Sequence, residues 1–158
     1  MKEIYYHLYV GSTYDYEHSV KDQEGWFVIH ACREPYHRLA LGYKGRKAPS
    51  HNPEYFCAYR AHSLSLNLED AKTAENISKQ VIDEAIKAID FHIINEKVLV
   101  QCNLGMSRSA AIGLLYLHHL KIVPTDFIMA EREYRKLYHW YKPKNGIRSF
   151  IQKKWDAY

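Results

Sequence analysis

The chain has 158 residues, of which 47% are apolar and 25% are charged, and its formal net charge is +4. This length and composition predict a single globular domain over residues 1–158 and exclude a disordered, collagen-like or coiled-coil chain. The longest apolar run, residues 110–117, is far shorter than the ~20 residues that a membrane span needs. The first residues lack the apolar core of a secretory signal, so we expect an intracellular, cytoplasmic protein. The spacing of the three cysteines and ten histidines predicts neither a disulfide scaffold nor a metal site.

The first half of the chain shows the patterns of three strands. Apolar residues alternate over 4–10 before Gly11, which predicts a half-buried strand that ends in a turn. The continuous apolar run over 26–31 predicts a more buried strand. Leucines alternate over 64–68 and predict a third strand.

Residues 33–62, between the second and third of these strands, form the basic segment. It holds six basic and two acidic residues, and its prolines and glycines predict a long irregular connection. Long loops in small domains often serve function. A local excess of positive charge is typical of an anion-binding region, and a solvated loop that is merely basic remains an equal alternative.

The second half of the chain alternates between helical and strand patterns. A 3.6-residue period predicts an amphipathic helix over 76–94, and a buried strand follows at 98–100. Further helices are predicted over 108–120, from Pro124 to about residue 137, and over 147–155. Strands alternating with helices predict an α/β fold with a central, largely parallel sheet flanked by helices.

The chemistry of the chain is concentrated where the 98–100 strand meets the 108–120 helix. The strand leads into Cys102, five residues follow, and the helix begins near Arg108. Backbone N–H groups of a loop that enters a helix point toward a common centre, where they bind anions. Gly105 permits the backbone to wrap around a phosphate-sized group, and the arginine offers it a planar fork. The same positive surroundings favour a nucleophilic thiolate at Cys102.

These residues resemble the signature of the cysteine-dependent protein phosphatases, in particular the dual-specificity branch. That signature reads His-Cys-x-x-Gly-x-x-Arg-Ser, and residues 101–109 read Gln-Cys-Asn-Leu-Gly-Met-Ser-Arg-Ser. The family also places a general-acid aspartate about thirty residues before the cysteine, and Asp70 precedes Cys102 by 32 residues. Weaker likenesses extend to residues 8–12 and 143–147, so the resemblance covers most of the chain.

The resemblance implies a single-domain phosphatase fold and a two-step displacement without metal or organic cofactor. Cys102 would attack phosphorus, Asp70 would act first as acid and then as base, and Ser109 would hydrogen-bond the sulfur. The implied partner is a phosphorylated protein or peptide. The implied phosphate-binding residues are Asn103, Leu104, Gly105, Met106, Ser107 and Arg108.

Gln101 departs from the family pattern, which has histidine at this position. A glutamine keeps hydrogen-bonding capacity but carries no titratable charge, so we interpret it as a tuning change. Each site residue also has a simpler interpretation. Cys102 could be a buried structural thiol, Asp70 could cap a helix, and Ser109 could satisfy a helix start.

Three other functions remain compatible with the residues. An RNA 5′-phosphatase, or another phosphatase acting on a non-protein substrate, would share the chemistry, and the basic segment keeps this reading open. A relative that binds phosphorylated partners with little or no turnover is the main non-enzyme alternative, although such proteins typically lose one of the three central residues. A basic nucleic-acid-binding module is weakly supported, because no stacking pattern accompanies the charge. The depth of the pocket, and with it the choice between phosphotyrosine and phosphoserine or phosphothreonine, depends on how residues 33–62 fold.

Overall fold

Six strands form one sheet in the computed structural model, which describes residues 1–158. The sheet order is β1-β2-β6-β3-β5-β4. The four inner strands pair in parallel, while β1 and β4 are antiparallel edges. The prediction of a largely parallel sheet is therefore confirmed. The strands are β1 (Lys2–Tyr5), β2 (Leu8–Ser12), β3 (Trp26–His30), β4 (Cys57–Arg60), β5 (Ser63–Leu66) and β6 (Lys97–Cys102).

Helices cover the two faces of the sheet unequally. Val98 and Val100 point into the main core with the apolar faces of the later helices, whereas Leu99 points to the opposite face, where it packs with Val20 and Val28. This division follows from the alternation of side chains along a strand. The helices are α1 (Thr13–Ser19), α2 (Arg38–Leu41), α3 (Lys79–His92), α4 (Arg108–His119), α5 (Phe127–Leu137) and α6 (Asn145–Lys153).

The N-terminal prediction of one strand over 4–10 was wrong. The segment forms two antiparallel strands, β1 and β2, joined at a tight turn where His7 has a φ of 60°. Helix α1, which the sequence analysis did not predict, follows β2 directly. Its start is fixed by a capping box, in which the Ser12 side chain accepts from the Asp15 N–H and the Asp15 carboxylate accepts from the Ser12 N–H.

The basic segment is more ordered than predicted. Residues 33–37 form an irregular helical turn that continues into α2, and residues 57–60 form edge strand β4. Two of the four β4 residues are exposed, so the strand lacks the clear alternation of a half-buried one. Residues 43–56 have neither helix nor strand, as expected for an irregular connection.

The remaining predicted helices are present with shifted ends. Helix α3 begins at Lys79 because residues 74–76 form a separate 3₁₀ turn. Helix α5 begins after Pro124, at Phe127, because the Asp126 side chain caps it by accepting from the Met129 N–H. No helix has the length and apolar character that crossing a bilayer requires.

Candidate active site

The candidate site lies at the carboxyl ends of the inner parallel strands. Strand β6 ends at Cys102, and α4 begins at Arg108, so residues 103–107 form the connecting loop. Cys102 is in register with Ser12 of β2, and Gln101 is in register with His30 of β3. The ends of three neighbouring strands thus converge behind the loop, an edge where α/β proteins commonly bind ligands.

The loop rests on backbone rather than on side chains. Gly105 has a φ of +72°, and a Cβ at this residue would lie 2.8 Å from the carbonyl carbon of Gly11. A side chain at position 105 is therefore disfavoured both by conformation and by space. The Tyr138 hydroxyl donates to the Gly105 carbonyl at 2.7 Å and fixes the loop from the opposite side.

Ser109 connects the cysteine to strand β2. The Cys102 side chain is buried, and its Sγ lies 3.2 Å from the Ser109 Oγ. The same hydroxyl donates to the Gly11 carbonyl at 3.2 Å. A hydroxyl has one proton, so while it donates to Gly11 the thiol must be the donor to Ser109. Rotation of the hydroxyl from Gly11 toward sulfur would supply a hydrogen bond to a thiolate.

Arg108 is held in place with part of its fork open. It is 7% exposed, its Nη1 donates to the Leu68 carbonyl at 3.1 Å, and its Nη2 donates to the Asn103 Oδ1 at 2.6 Å. The buried Nε has no hydrogen-bond partner. A buried donor without an acceptor is rare in proteins, and here it lies at the end of the 103–107 loop. The Asn103 amide oxygen occupies a donor direction that a phosphate oxygen could take.

Asp70 lies on the segment between β5 and α3, and two side chains hold it. Its Oδ1 accepts from the Ser107 hydroxyl at 3.2 Å, and its Oδ2 is 2.8 Å from the Lys144 ammonium. The backbone N–H of Lys144 donates in turn to the Ser107 Oγ at 3.0 Å. Lys144 was not among the residues predicted for the site. The only sequence feature that pointed to it was the likeness of residues 143–147 to a family element.

These groups surround one pocket of about 590 Å³. Of the residues predicted for the site, all line this pocket except Gly105 and Ser109, which lie beneath the loop and behind the cysteine. Three further residues, Lys142, Pro143 and Lys144, form the opposite wall. The pocket lining as a whole carries more positive than negative charge, because Asp70 is the only carboxylate among the lining residues.

The structure shows what Gln101 contacts. The side chain is fully buried, and its Oε1 accepts from the Thr13 hydroxyl at 3.0 Å. Its Nε2 lies 2.6 Å from the His30 Nδ1, which makes His30 the acceptor and places its ring proton on Nε2. Burial lowers the pKa of His30 to about 3. A neutral histidine therefore stands behind the loop, on the neighbouring strand instead of directly before the cysteine.

Comparisons with known proteins give one consistent result at the level of fold. No family model and no curated protein sequence matches the chain. Among solved structures, human DUSP28 superposes with a TM-score of 0.68 at 17% identity, over 99% of this chain and 96% of that one. The human tyrosine phosphatase-like serine/threonine/tyrosine-interacting protein gives a TM-score of 0.68 at 20% identity, over 100% and 97% of the two chains. OH1 from the Orf virus, described as a tyrosine phosphatase, gives 0.58 at 16% identity, over 97% and 85%.

The chain therefore has the fold of the dual-specificity and tyrosine phosphatases, as the sequence resemblance implied. At identities of 16–20%, these superpositions show the fold alone.

Proposed function

We propose that this chain is a cysteine-dependent phosphatase, with residues 1–158 forming its catalytic domain. Its substrates would be phosphate monoesters, namely phosphotyrosine and also phosphoserine or phosphothreonine in proteins. The observation that carries the proposal is the convergence of Cys102, Asp70 and Arg108 on one pocket, with the buried Arg108 Nε lacking a partner.

In the first step, the Cys102 thiolate, formed by loss of the thiol proton to solvent, attacks phosphorus and forms an S–P bond while the ester P–O bond breaks. Arg108 and the N–H groups of residues 103–108 bind the non-bridging oxygens, on which negative charge develops. Asp70 donates a proton to the departing alkoxide or phenoxide, which leaves as the alcohol. Asp70 must carry a proton to do this, so its ion pair with Lys144 must break before the step.

In the second step, water attacks the cysteinyl-phosphate. Asp70, now ionised, takes a proton from the water, the S–P bond breaks, and inorganic phosphate forms. The Ser109 hydroxyl, 3.2 Å from the sulfur, turns from Gly11 and donates to the departing thiolate. All atoms and charges balance without a metal or an organic cofactor.

The alternative function is phosphate-group binding with little turnover. One contact favours it: Lys144 holds Asp70 in an ion pair, which competes with proton donation by Asp70. Phosphate binding by the loop and Arg108 does not require that proton.

The test is steady-state hydrolysis of p-nitrophenyl phosphate by the wild type and by Cys102→Ser, with and without orthovanadate. We expect turnover that the substitution abolishes and vanadate inhibits. Phosphotyrosine, phosphoserine and phosphothreonine peptides, with a 5′-phosphorylated oligoribonucleotide as the non-protein arm, then define the substrate class. A folded wild type that binds vanadate or phosphopeptide without turnover contradicts the enzyme proposal and supports the binding alternative.

A further inference from the structure

A second pocket of about 600 Å³ lies beside the catalytic pocket. The two share Asp70, which forms part of the wall of both. The second pocket is bounded by the irregular part of the basic segment on one side and by the segment between β5 and α3 on the other. A peptide with one side chain in the catalytic pocket could thus place a neighbouring side chain in the second pocket.

The charges of the basic segment divide into paired and unpaired groups. Arg38 donates to both carboxylate oxygens of Glu34 at 2.6 and 2.7 Å, and the Arg33 Nε is 3.4 Å from the same carboxylate. Arg60 contacts Glu54 at 2.7 Å. Arg33 also pairs with Glu69, so three carboxylates neutralise these three arginines, which do not account for attraction to an outside anion.

The lysines of the second pocket have no such partners. Lys47 lines it from the basic segment, and Lys72 lines it from the segment after Asp70; neither side chain has a carboxylate within 4.0 Å or a hydrogen-bond partner in the protein. Lys44, which is also unpaired and exposed, lies outside the pocket. The pocket therefore presents two free ammonium groups next to the catalytic site.

We propose that the second pocket binds a second anionic side chain of a phosphopeptide, either a carboxylate or another phosphorylated residue. This inference rests on the proposed function for the residue in the catalytic pocket, and it adds a substrate class: peptides with a negative charge close to the phosphorylated residue. Lys47 and Lys72 are the groups that select it.

The small number of free charges favours a peptide over a nucleic acid. Glu69 pairs with Arg33 and Asp70 pairs with Lys144, so Lys47 and Lys72 are the unpaired charges of the pocket lining. A nucleic-acid backbone carries one negative charge per nucleotide and binds through several cations along its length. Two lysines in one pocket suit a single anionic side chain instead.

The experiment compares a phosphotyrosine peptide with neutral neighbours against peptides that carry glutamate or phosphoserine at successive positions on either side. For the wild type, kcat/KM at low salt should rise about 10-fold for the best-placed anion, because two exposed charge pairs together add a modest Coulomb attraction. The double variant Lys47→Ala, Lys72→Ala should lose this preference and retain wild-type hydrolysis of p-nitrophenyl phosphate. The matched control Lys44→Ala should keep the preference.

Binding to the Cys102→Ser protein, measured by fluorescence anisotropy with the same peptides, separates the two proposals. A preference for the second anion that depends on both lysines supports the pocket even where the wild type hydrolyses nothing. The proposal is overturned by equal affinity for neutral and anionic peptides, or by equal losses in the double variant and Lys44→Ala. It is also overturned if the lysines affect only a 5′-phosphorylated oligoribonucleotide.

Discussion

The two sides of Cys102 are built from different kinds of interaction. Behind it, toward the sheet, the Ser109, Gln101 and His30 side chains are buried, neutral and hydrogen-bonded to one another or to backbone. In front of it, Asp70 and Lys144 form an ion pair at the mouth of the pocket, with 23% and 67% of their side-chain surfaces exposed.

This difference indicates that the two sides serve different purposes. Neutral hydrogen bonds in a buried region fix geometry, because a misplaced polar group there loses its partner without gaining water. Exposed charges tolerate movement and respond to what approaches, because solvent screens them and competes for them. Under the proposed function, the rear side would position the nucleophile and the front side would recognise the charge of the substrate. Substitutions on each side should therefore give different signatures.

The largest effect is expected at Arg108, whose guanidinium lines the pocket together with Cys102. Arg108→Lys keeps the charge but removes the open Nε and the planar fork, so kcat/KM for p-nitrophenyl phosphate should fall by about 10²–10³-fold. Lys142→Ala removes an exposed cation of the same pocket and should cost less than about 10-fold. Losses of equal size would contradict the special geometry assigned to Arg108.

The next effect tests the front side through the leaving group. Asp70→Asn should lower kcat/KM for phenyl phosphate by about 10²-fold, because the poor leaving group needs a proton. The loss on p-nitrophenyl phosphate should be much smaller. Glu69→Gln, the neighbouring carboxylate, should leave the ratio of the two rates unchanged. If Asp70→Asn slows both substrates equally, it acts on binding or folding instead of proton transfer.

The rear side should show itself in stability rather than in substrate selectivity. Burial lowers the pKa of His30 from 6.5 to about 3, so below pH 6.5 the unfolded chain binds a proton that the folded protein excludes. The free energy of unfolding should therefore lose about 2 kcal/mol from this residue between pH 7 and pH 5. His30→Asn keeps an acceptor for Gln101 but does not titrate, and urea denaturation at both pH values should show a correspondingly smaller drop. An identical drop in the two proteins would argue against a buried neutral His30.

The smallest effect concerns Asn103, whose Oδ1 accepts from the Arg108 Nη2 and would compete with a bound phosphate. Asn103→Ala frees the Nη2 and should lower KM for p-nitrophenyl phosphate by about 3-fold, in line with one modest hydrogen bond. Asn103→Asp should act in the opposite direction, because a carboxylate pairs more strongly with the guanidinium. Unchanged KM in both variants would mean that the contact does not oppose binding.

The sequence predicts the loop between β6 and α4 well because its signals are local. A buried strand, a cysteine, a glycine and a small-residue helix follow one another within residues 98–113. The contacts that surround the loop are not local. His30 lies behind Gln101 through the register of two parallel strands, and Lys144 reaches Asp70 only because the segment before α6 returns to the pocket.

Non-local contacts also explain the two errors in the predicted strands. Strand β4 is an edge strand with exposed Tyr59 and Arg60, so its pattern resembles that of a loop. The turn at His7 interrupts an alternation that continues on both sides of it, and a period of two does not reveal where a strand reverses. Pairing with a neighbouring strand determines both features, and this pairing leaves no local pattern in the sequence.

The glycine contact beneath the loop limits how this protein can be altered. With Gly105 resting on the main chain of Gly11, the contact between the loop and β2 contains no side chain to exchange. Directed evolution or design could therefore reshape the mouth of the pocket through positions such as Leu104, which is 76% exposed, while the spacing between the loop and the sheet stays constant. Under the proposed function, new specificities would arise from side chains around the loop, with the loop backbone itself held at the same level.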